Sequence, residues 1–339
     1  MTYVQTINTN KMTNANNNAE KQWLKKLISG KKTEMAEKNP ETNEIEKTET
    51  TDTKDKRGFN DVVGMDELKQ LVTEGFINVL KYKECATAYG ITPPSILLYG
   101  PTGCGKTFFA EKMAEEVDIC FIKVVPDDLA STLVHGTQEK IGKVFKDAEK
   151  KAPAILFFDE FETMVPQRSN DDKNYQNGET NEFLCMLNNA AKRGVYVVAA
   201  TNHPERIDKA ALRTGRIDEI IYVGMPDEKA REELFQLELA KLPSDKDIDC
   251  RRLADLSKGF NCSDISYVVK NASRRMFNES IKEKGKPPYK NITQKLLEEI
   301  IALKKPSVSS RDLRDFERMR MEFSHGNKGS NQKTIGFHL

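Results

Sequence analysis

The fold is decided by residues 95–107, which read SILLYGPTGCGKT. The first five residues are an apolar run between two prolines and Gly100, a pattern typical of a short buried strand. The remainder matches G-x-x-x-x-G-K-[ST] and leads into a predicted helix over 107–116. A strand followed by a glycine-rich loop and a helix predicts that backbone N–H groups and the helix dipole bind phosphate.

The residue types in this loop predict a site for ATP and Mg²⁺. Lys106 brings positive charge to the β- and γ-phosphates, and the Thr107 hydroxyl is expected to be a ligand of Mg²⁺. Cys104 has two interpretations: a thiol with a lowered pKa at a helix N-terminus, or a small residue that fills the turn. The expected nucleotide-binding residues of this segment are Thr102, Gly103, Cys104, Gly105, Lys106, Thr107 and Phe108.

Another apolar strand, predicted over 154–158, ends in the two acids Asp159 and Glu160. In a parallel sheet this end lies beside the phosphate loop. Asp159 is therefore expected to hold Mg²⁺ through water, and Glu160 to activate the attacking water as a general base. The alternative is that the acids only cap the strand, which would be a sufficient explanation for either acid alone. Glu162 is interpreted as structural or as facing a ring interface.

Thr201 and Asn202 follow a third apolar run, residues 195–200. An amide at the tip of a neighbouring strand can orient the attacking water or contact the γ-phosphate, whereas the same two residues alone would indicate an ordinary turn. Beside a phosphate loop and a pair of acids, we expect Asn202 to belong to the site.

Strands alternate with helices in the first part of the chain, which is typical of an α/β fold with a parallel sheet and helices on both faces. The predicted strands are 95–99, 118–125, 154–158, 195–200 and 219–223. The helices predicted among them are 66–79, 107–116, 138–150 and 180–191. After residue 225 only helices are predicted, at 227–240, 251–258, 263–282, 292–303 and 309–323. We therefore expect a large α/β domain over 58–225, a small helical lid over 226–324 and a flexible tail over 325–339.

The 339 residues carry 53 basic and 52 acidic side chains, a net charge of +1. This balance argues against a dedicated nucleic-acid binder, which is usually clearly basic. No apolar run reaches the roughly 18 residues of a membrane span, and the N-terminus lacks the apolar segment of a secretory signal. The six cysteines show no CxxC spacing. We therefore expect a cytoplasmic protein without a membrane span, a disulfide framework or a zinc site.

Residues 1–57 are rich in Asn, Thr, Lys and Glu and poor in large apolar residues. Such a composition cannot support a packed core, so a polar, disordered arm is predicted. Within it, Trp23, Leu24, Leu27 and Ile28 share one helical face. This segment is either a transient helix of the arm or a docking motif for the groove of a partner.

Taken together, these segments resemble the AAA ATPases, in particular the subfamily of valosin-containing protein, katanin, spastin and the proteasomal ATPases. The resemblance covers roughly residues 58–323. It includes FNDVVG at 59–64, AATNHP at 199–204 and ALRTGRID at 211–218. The resemblance implies that the backbone around Asp61, Val63 and Gly64 lies against adenine.

The resemblance also implies a ring. Asn202 falls on the position called sensor 1, and Arg213 and Arg216 fall on the two arginine-finger positions. An arginine supplied by a neighbouring subunit suits charge developing on the γ-phosphate, and a surface ion pair with Asp218 or Glu219 is the alternative for each. Fingers acting between subunits imply a homo-oligomer, expected to be a hexamer with head-to-tail interfaces.

Two departures from the family pattern bear on function. GFNCSDI at 259–265 resembles the family's GFSGADI segment near the base and ribose, with Cys262 in place of Gly and Ser263 in place of Ala. The family's central pore loop carries an aromatic residue, whereas this chain has Val134-His135-Gly136. Threading of a polypeptide is therefore in question: either Leu133 or His135 grips the chain, or the ring remodels partners without threading.

Three functions are compatible with these features. The first is an ATP-hydrolysing ring that remodels, disassembles or unfolds protein partners, chosen by an unknown adaptor or by the arm at 1–57. The second is an ATP-gated oligomeric switch or scaffold that does not thread polypeptide. The third is a nucleic-acid-associated machine such as a loader, which the near-neutral charge disfavours. The complete set of catalytic residues favours the first.

Overall fold

The computed structural model describes residues 57–129, 136–167, 174–282 and 289–326. Five strands form one parallel sheet in the order β2-β3-β4-β1-β5. The strands are β1 Ile96–Tyr99, β2 Cys120–Val124, β3 Ala154–Phe158, β4 Val195–Thr201 and β5 Glu219–Tyr222. Each overlaps its predicted segment, so the expected α/β fold with a parallel sheet is confirmed.

Eight helices accompany these strands in the described part of the chain before residue 225. They are α1 Asp66–Val72, α2 Asn78–Lys81, α3 Lys83–Ala88, α4 Lys106–Glu116, α5 Pro126–Leu129, α6 Gly136–Lys150, α7 Phe161–Met164 and α8 Asn174–Leu187. A π-helical turn, Thr73–Ile77, joins α1 to α2, so the predicted helix over 66–79 contains one wider turn. The short helices α3, α5 and α7 were not predicted.

The helix predicted over 180–191 is wrong at its C-terminal end. Helix α8 stops at Leu187, and Asn189 adopts a left-handed conformation with φ 58°. Asparagine tolerates this conformation better than most residues and commonly ends helices. The two alanines that follow form only a 3₁₀ turn, Ala190–Arg193.

The sheet is buried on both faces, which explains why its strands read as continuous apolar runs. Side chains alternate between the faces along each strand. In β1, Leu97 belongs to one core cluster with residues of α6 and α8. Ile96 and Leu98 belong to the other, which includes Phe109 and Met113 of α4. The second cluster also includes Cys104, so it joins the loop after β1 to the core.

The chain after residue 225 is helical, as predicted. The helices are α9 Glu228–Leu239, α10 Cys250–Leu256, α11 Cys262–Lys282, α12 Gln294–Leu303 and α13 Ser310–Gly326. Asp227, Asp249 and Thr293 begin α9, α10 and α12, and each side chain accepts a hydrogen bond from a backbone N–H in the first turn. Phe235, Val268 and Leu297 are among the residues of a separate apolar core.

Helix α13 returns to the sheet. The ring of Phe323 lies 5.3 Å from that of Tyr99, the last residue of β1, and the ring of Phe316 lies 6.3 Å from that of Tyr222 in β5. The helix runs to Gly326 and so includes residues 325 and 326, which were expected to begin a flexible tail. Helix α13 thus packs next to the strand that leads into the phosphate loop.

Several predicted features lie outside the described residues. These are the arm over 1–56 with its Trp23 segment, residues 133–135 of the pore loop, and the tail over 327–339. Within the described ranges, no helix combines the length and apolar character needed to cross a membrane.

Candidate nucleotide-binding site

The glycine-rich loop runs from Gly100 to the first turn of α4. Gly103 and Gly105 have φ angles of 73° and 89°, in the left-handed region that glycine adopts without strain. A Cβ atom at Gly103 would lie 2.6 Å from the Asn261 side-chain nitrogen, so a larger residue would collide with the segment that packs on the loop. Because α4 begins at Lys106, the N–H groups of its first turn have no carbonyl partner within the helix.

Lys106 connects the loop to the tip of β4. Its ammonium donates hydrogen bonds to the carbonyls of Gly100 and Pro101, both at 2.8 Å, and to Oδ1 of Asn202 at 2.7 Å. These three acceptors match the three donors of an ammonium group. Burial lowers the pKa of Lys106 to about 8, although nearby acids, including Asp159, oppose this shift. Lys106 and Asn202, which were each expected to belong to the site, are therefore in direct contact.

The predicted metal ligands also meet. The Thr107 hydroxyl donates to Oδ2 of Asp159 at 3.2 Å, which joins the first turn of α4 to the end of β3. Oδ1 of the same carboxylate accepts a hydrogen bond from the backbone N–H of Glu160 at 3.2 Å. Glu160 is exposed and has a left-handed backbone with φ 49°, an uncommon conformation for a residue other than glycine. Such backbone conformations concentrate at functional sites.

Thr201 and Glu162 form a buried polar pair behind this edge. The Thr201 hydroxyl donates to Oε2 of Glu162 at 2.6 Å and accepts from the backbone N–H of His203 at 2.8 Å. Both side chains are buried, so the bond is shielded from water. It holds the turn that carries Asn202 against α7. Glu162 is therefore structural, one of the two interpretations of the sequence.

The start of α11 lies directly on the phosphate loop. The backbone N–H of Ser263 donates to the carbonyl of Gly103 at 3.1 Å. The Asn261 side-chain amide donates to the carbonyl of Thr102 at 2.9 Å. Burial raises the pKa of the neighbouring Cys262 thiol to about 11. The predicted Cys262–Ser263 segment is thus close to the loop, and Asn261 is a contact that the sequence analysis missed.

Cys104 is fully buried inside the loop. Its sulfur lies 3.7 Å from the sulfur of Met225 and 3.8 Å from the carbonyl of Thr102. Burial raises the pKa of its thiol to about 12, opposite to the lowered pKa of a reactive cysteine. The structure supports the second interpretation, a small residue that fills the turn.

The residues expected near adenine, Asp61, Val63 and Gly64, lie just before α1. Asp61 is paired with Lys112 at 3.0 Å, and Gly64 has a φ of 61° with the side chain of Ala230 close by. Val63 is half-buried. Phe108 is 44% exposed, and the Lys112 ammonium lies over its ring. Phe108 is thus accessible to solvent, unlike the buried Cys104 and Lys106 of the same segment.

The two candidate finger arginines lie between β4 and β5. Arg213 is exposed, and Arg216 donates to the carbonyl of Ala210 at 2.8 Å and to Oδ1 of Asn188 at 3.4 Å. Both oxygens of Asp218 accept backbone N–H groups, from Ser95 and Gly215. Within the described part of the chain, no hydrogen bond or ion pair joins either arginine to Lys106, Asp159 or Glu160.

This arrangement fits a nucleotide with Mg²⁺. The glycines allow the loop backbone to curve around an anion, and the N–H groups of the first turn of α4, which have no carbonyl partner within the helix, attract phosphate. The Thr107 hydroxyl and Asp159 carboxylate are the oxygen ligands that Mg²⁺ prefers. A parallel sheet with a phosphate loop after β1 and an acidic pair after β3, with β4 between these two strands, is the arrangement of a P-loop nucleotide-binding domain.

The family of this domain follows from comparison with known proteins. Residues 96–225 match the family described as "ATPase family associated with various cellular activities (AAA)". The chain is 34% identical over 275 residues to a Cell division cycle protein 48 homolog of Archaeoglobus fulgidus, with 78% of this chain aligned. It spans 38% of the length of that relative. Residues 96–225 therefore form a domain of the AAA family, and the resemblance noted from the sequence is confirmed.

Proposed function

We propose that this chain hydrolyses ATP at the loop-centred site and uses the reaction to remodel, disassemble or unfold protein partners. The observation that carries this proposal is that three distant segments meet: Lys106 contacts Asn202, and Thr107 contacts Asp159. The relationship to a Cell division cycle protein 48 homolog supports an ATPase that acts on proteins.

In this proposal, each residue has a defined task. Lys106 and the loop N–H groups bind the β- and γ-phosphates. Thr107 and Asp159 would hold Mg²⁺, which would supply charge neutralisation at the phosphate oxygens. Asn202 orients the γ-phosphate or the attacking water, and Glu160 removes a proton from that water.

The proposal extends to the division of the chain and to its assembly. The α/β part, 58–225, would be the ATPase domain, and the helical part, 226–324, its lid. Arg213 and Arg216 would act on the nucleotide of a neighbouring subunit in a homo-oligomeric ring, which we propose to be a hexamer. The exposure of Arg213 supports this placement. The arm over 1–57 would select the protein substrate or adaptor.

The second candidate is an ATP-gated oligomeric switch or scaffold that does not thread polypeptide. One sequence feature favours it: the pore-loop segment Val134-His135-Gly136 has no aromatic side chain to grip an extended chain. The two functions differ in whether nucleotide turnover responds to an unfolded polypeptide.

The assignment of Glu160 provides the test of hydrolysis. In the Glu160→Gln variant, a fluorescent ATP analogue should bind with wild-type affinity, while phosphate release should fall by at least about 100-fold, the range of general-base catalysis. Glu111→Gln, an exposed position on α4, is the matched control and should keep both properties. Wild-type phosphate release by Glu160→Gln would show that another group is the base.

A further inference from the structure

Lys123 stands beside the carboxylate that is expected to face Mg²⁺. It lies on β2, the edge strand next to β3, in register with Phe157, two residues before Asp159. Its ammonium is 3.2 Å from Oδ2 of Asp159. This is the same oxygen that accepts the Thr107 hydroxyl, also at 3.2 Å. The positively charged Lys123 side chain thus contacts the Asp159 oxygen that also accepts the hydrogen bond of Thr107, and both of these residues are proposed metal ligands.

Both oxygens of the Asp159 carboxylate have partners within the protein. Oδ2 contacts Lys123 and Thr107, and Oδ1 accepts the N–H of Glu160. The ammonium of Lys106, which is buried, instead contacts the loop carbonyls and Asn202. Lys123 is therefore the lysine whose ammonium is ion-paired with Asp159.

Building on the proposed function, we propose that Lys123 is a positioning residue that holds Asp159 when no Mg²⁺ is bound and competes with Mg²⁺ for this carboxylate. A divalent ion close to Thr107 would be repelled by the ammonium, and an oxygen paired with Lys123 is a poorer partner for the metal. The Lys123 side chain is 44% exposed, so it can move into solvent without disturbing the core. Its charge therefore raises the Mg²⁺ concentration at which the site retains nucleotide.

Two other roles for Lys123 make different predictions. A surface ion pair that only fastens the edge strand would affect stability and leave the Mg²⁺ requirement unchanged. A direct contact with a phosphate would increase nucleotide affinity whether or not Mg²⁺ is present. The dependence of binding on Mg²⁺ distinguishes all three.

The test is an Mg²⁺ titration of the binding of a fluorescent ADP analogue to the whole chain, started in EDTA, so that no turnover is measured. For Lys123→Met and Lys123→Gln, the midpoint Mg²⁺ concentration should be about three- to tenfold lower than for wild type, and the difference should shrink at high salt. Lys123→Arg should behave as wild type. Lys150→Met removes another lysine paired with an aspartate, Asp147, and is the matched control.

The outcomes separate this inference from the proposed function. If wild type binds the analogue but the neutral variants keep or raise its midpoint, Lys123 does not compete with Mg²⁺ and the inference is wrong. Weaker binding by the neutral variants in EDTA would also overturn it, because it would show a phosphate contact. If wild type binds no nucleotide under any condition, the proposed function itself is wrong. In a protein that already carries Asp159→Asn, the Lys123→Met substitution should no longer change the midpoint Mg²⁺ concentration.

Discussion

The side-chain amide of Asn261 donates a 2.9 Å hydrogen bond to the carbonyl of Thr102, a residue 159 positions earlier in the chain. Asn261 also begins α11, because its Oδ1 accepts the backbone N–H of Asp264 at 2.7 Å. The side chain is almost fully buried. One residue thus links the helical part of the chain to the phosphate loop and fixes the helix that follows.

This double role predicts different results for two substitutions of Asn261. Serine keeps an oxygen that can cap α11 but is too short to reach Thr102, so Asn261→Ser should retain most of the stability and bind nucleotide about three- to tenfold more weakly, because the loop is less well preorganised. Alanine also removes the cap and should lower the free energy of unfolding by about 0.5–2 kcal/mol. Chemical denaturation and binding of a fluorescent ADP analogue measure the two effects. Equal affinity of Asn261→Ser and wild type would show that the link to Thr102 is not needed for binding.

Because the pKa of Lys106 is lowered, nucleotide affinity should fall with rising pH, whereas the contribution of Lys106 to stability should rise. Burial lowers this pKa from 10.5 to about 8. Phosphate binding needs the ammonium, so nucleotide affinity should fall as the pH rises from about 7 to about 9. The unfolded chain keeps this proton up to a higher pH than the folded chain, so the contribution of Lys106 to stability should rise between about pH 8 and 10.5.

The control for this prediction is Lys106→Arg. A guanidinium stays charged throughout this range, so the variant should show no fall in affinity between pH 7 and 9, whatever its absolute affinity. Binding is followed with the same fluorescent analogue. A decline of equal size in both proteins would assign the titration to another group.

Replacing Gly100 with alanine should strongly lower the stability of the fold. It has φ 150°, and a Cβ atom there would overlap the backbone carbonyl of Val223, which continues from β5. Backbone cannot shift as easily as a flexible side chain, so Gly100→Ala should lower the free energy of unfolding by about 1–3 kcal/mol. Gly142→Ala in helix α6 meets no atom within 4 Å and should leave stability unchanged or raise it by about 0.5–1 kcal/mol. Thermal unfolding of both variants tests this contrast, and an equal effect at the two positions would refute it.

If Arg216 acts on the nucleotide of a neighbouring subunit, two variants that hydrolyse ATP poorly alone should regain activity when they are mixed. Arg216→Ala should bind ATP but turn it over slowly, because its neighbour lacks a finger. Lys106→Ala should lose nucleotide binding yet still offer its own Arg216. An equal mixture should therefore hydrolyse ATP faster than the sum of the separate proteins. Arg213→Ala should behave in the same way if it also acts on the neighbour.

Structural damage needs a separate check, because Arg216 also contacts Ala210 and Asn188. The Arg216→Ala variant should unfold at nearly the wild-type temperature. A mixture no more active than its components, from variants that are folded and assembled, would mean that the arginine does not act between subunits.

The sheet and the centre of the site could be predicted from the sequence because their signals are local. Strands buried on both faces are apolar runs bounded by Gly and Pro, as at 95–99 and 154–158. Parallel strands end at one edge, so Lys106, Thr107, Asp159 and Asn202 were expected to meet, and the geometry brings them together.

The missed features depend on packing between distant segments. The resemblance of residues 259–265 to a family segment indicated that they lie near the nucleotide, but not that the Asn261 side chain contacts Thr102, because this contact depends on how α11 docks on the loop. Lys123 reaches Asp159 because β2 pairs with β3 in one particular register. The end of α8 was misplaced because two alanines favour a helix, whereas Asn189 ends it with a left-handed backbone.

The measurement that decides whether subunits share a catalytic site is the rate of ATP hydrolysis per chain as a function of protein concentration. If the catalytic site is completed by an arginine from a neighbour, the rate should climb steeply and then reach a plateau as subunits assemble. Glu160→Gln should remain inactive over the same range. A rate per chain that is appreciable and independent of concentration would show that each chain is complete alone, which would contradict the proposed shared site.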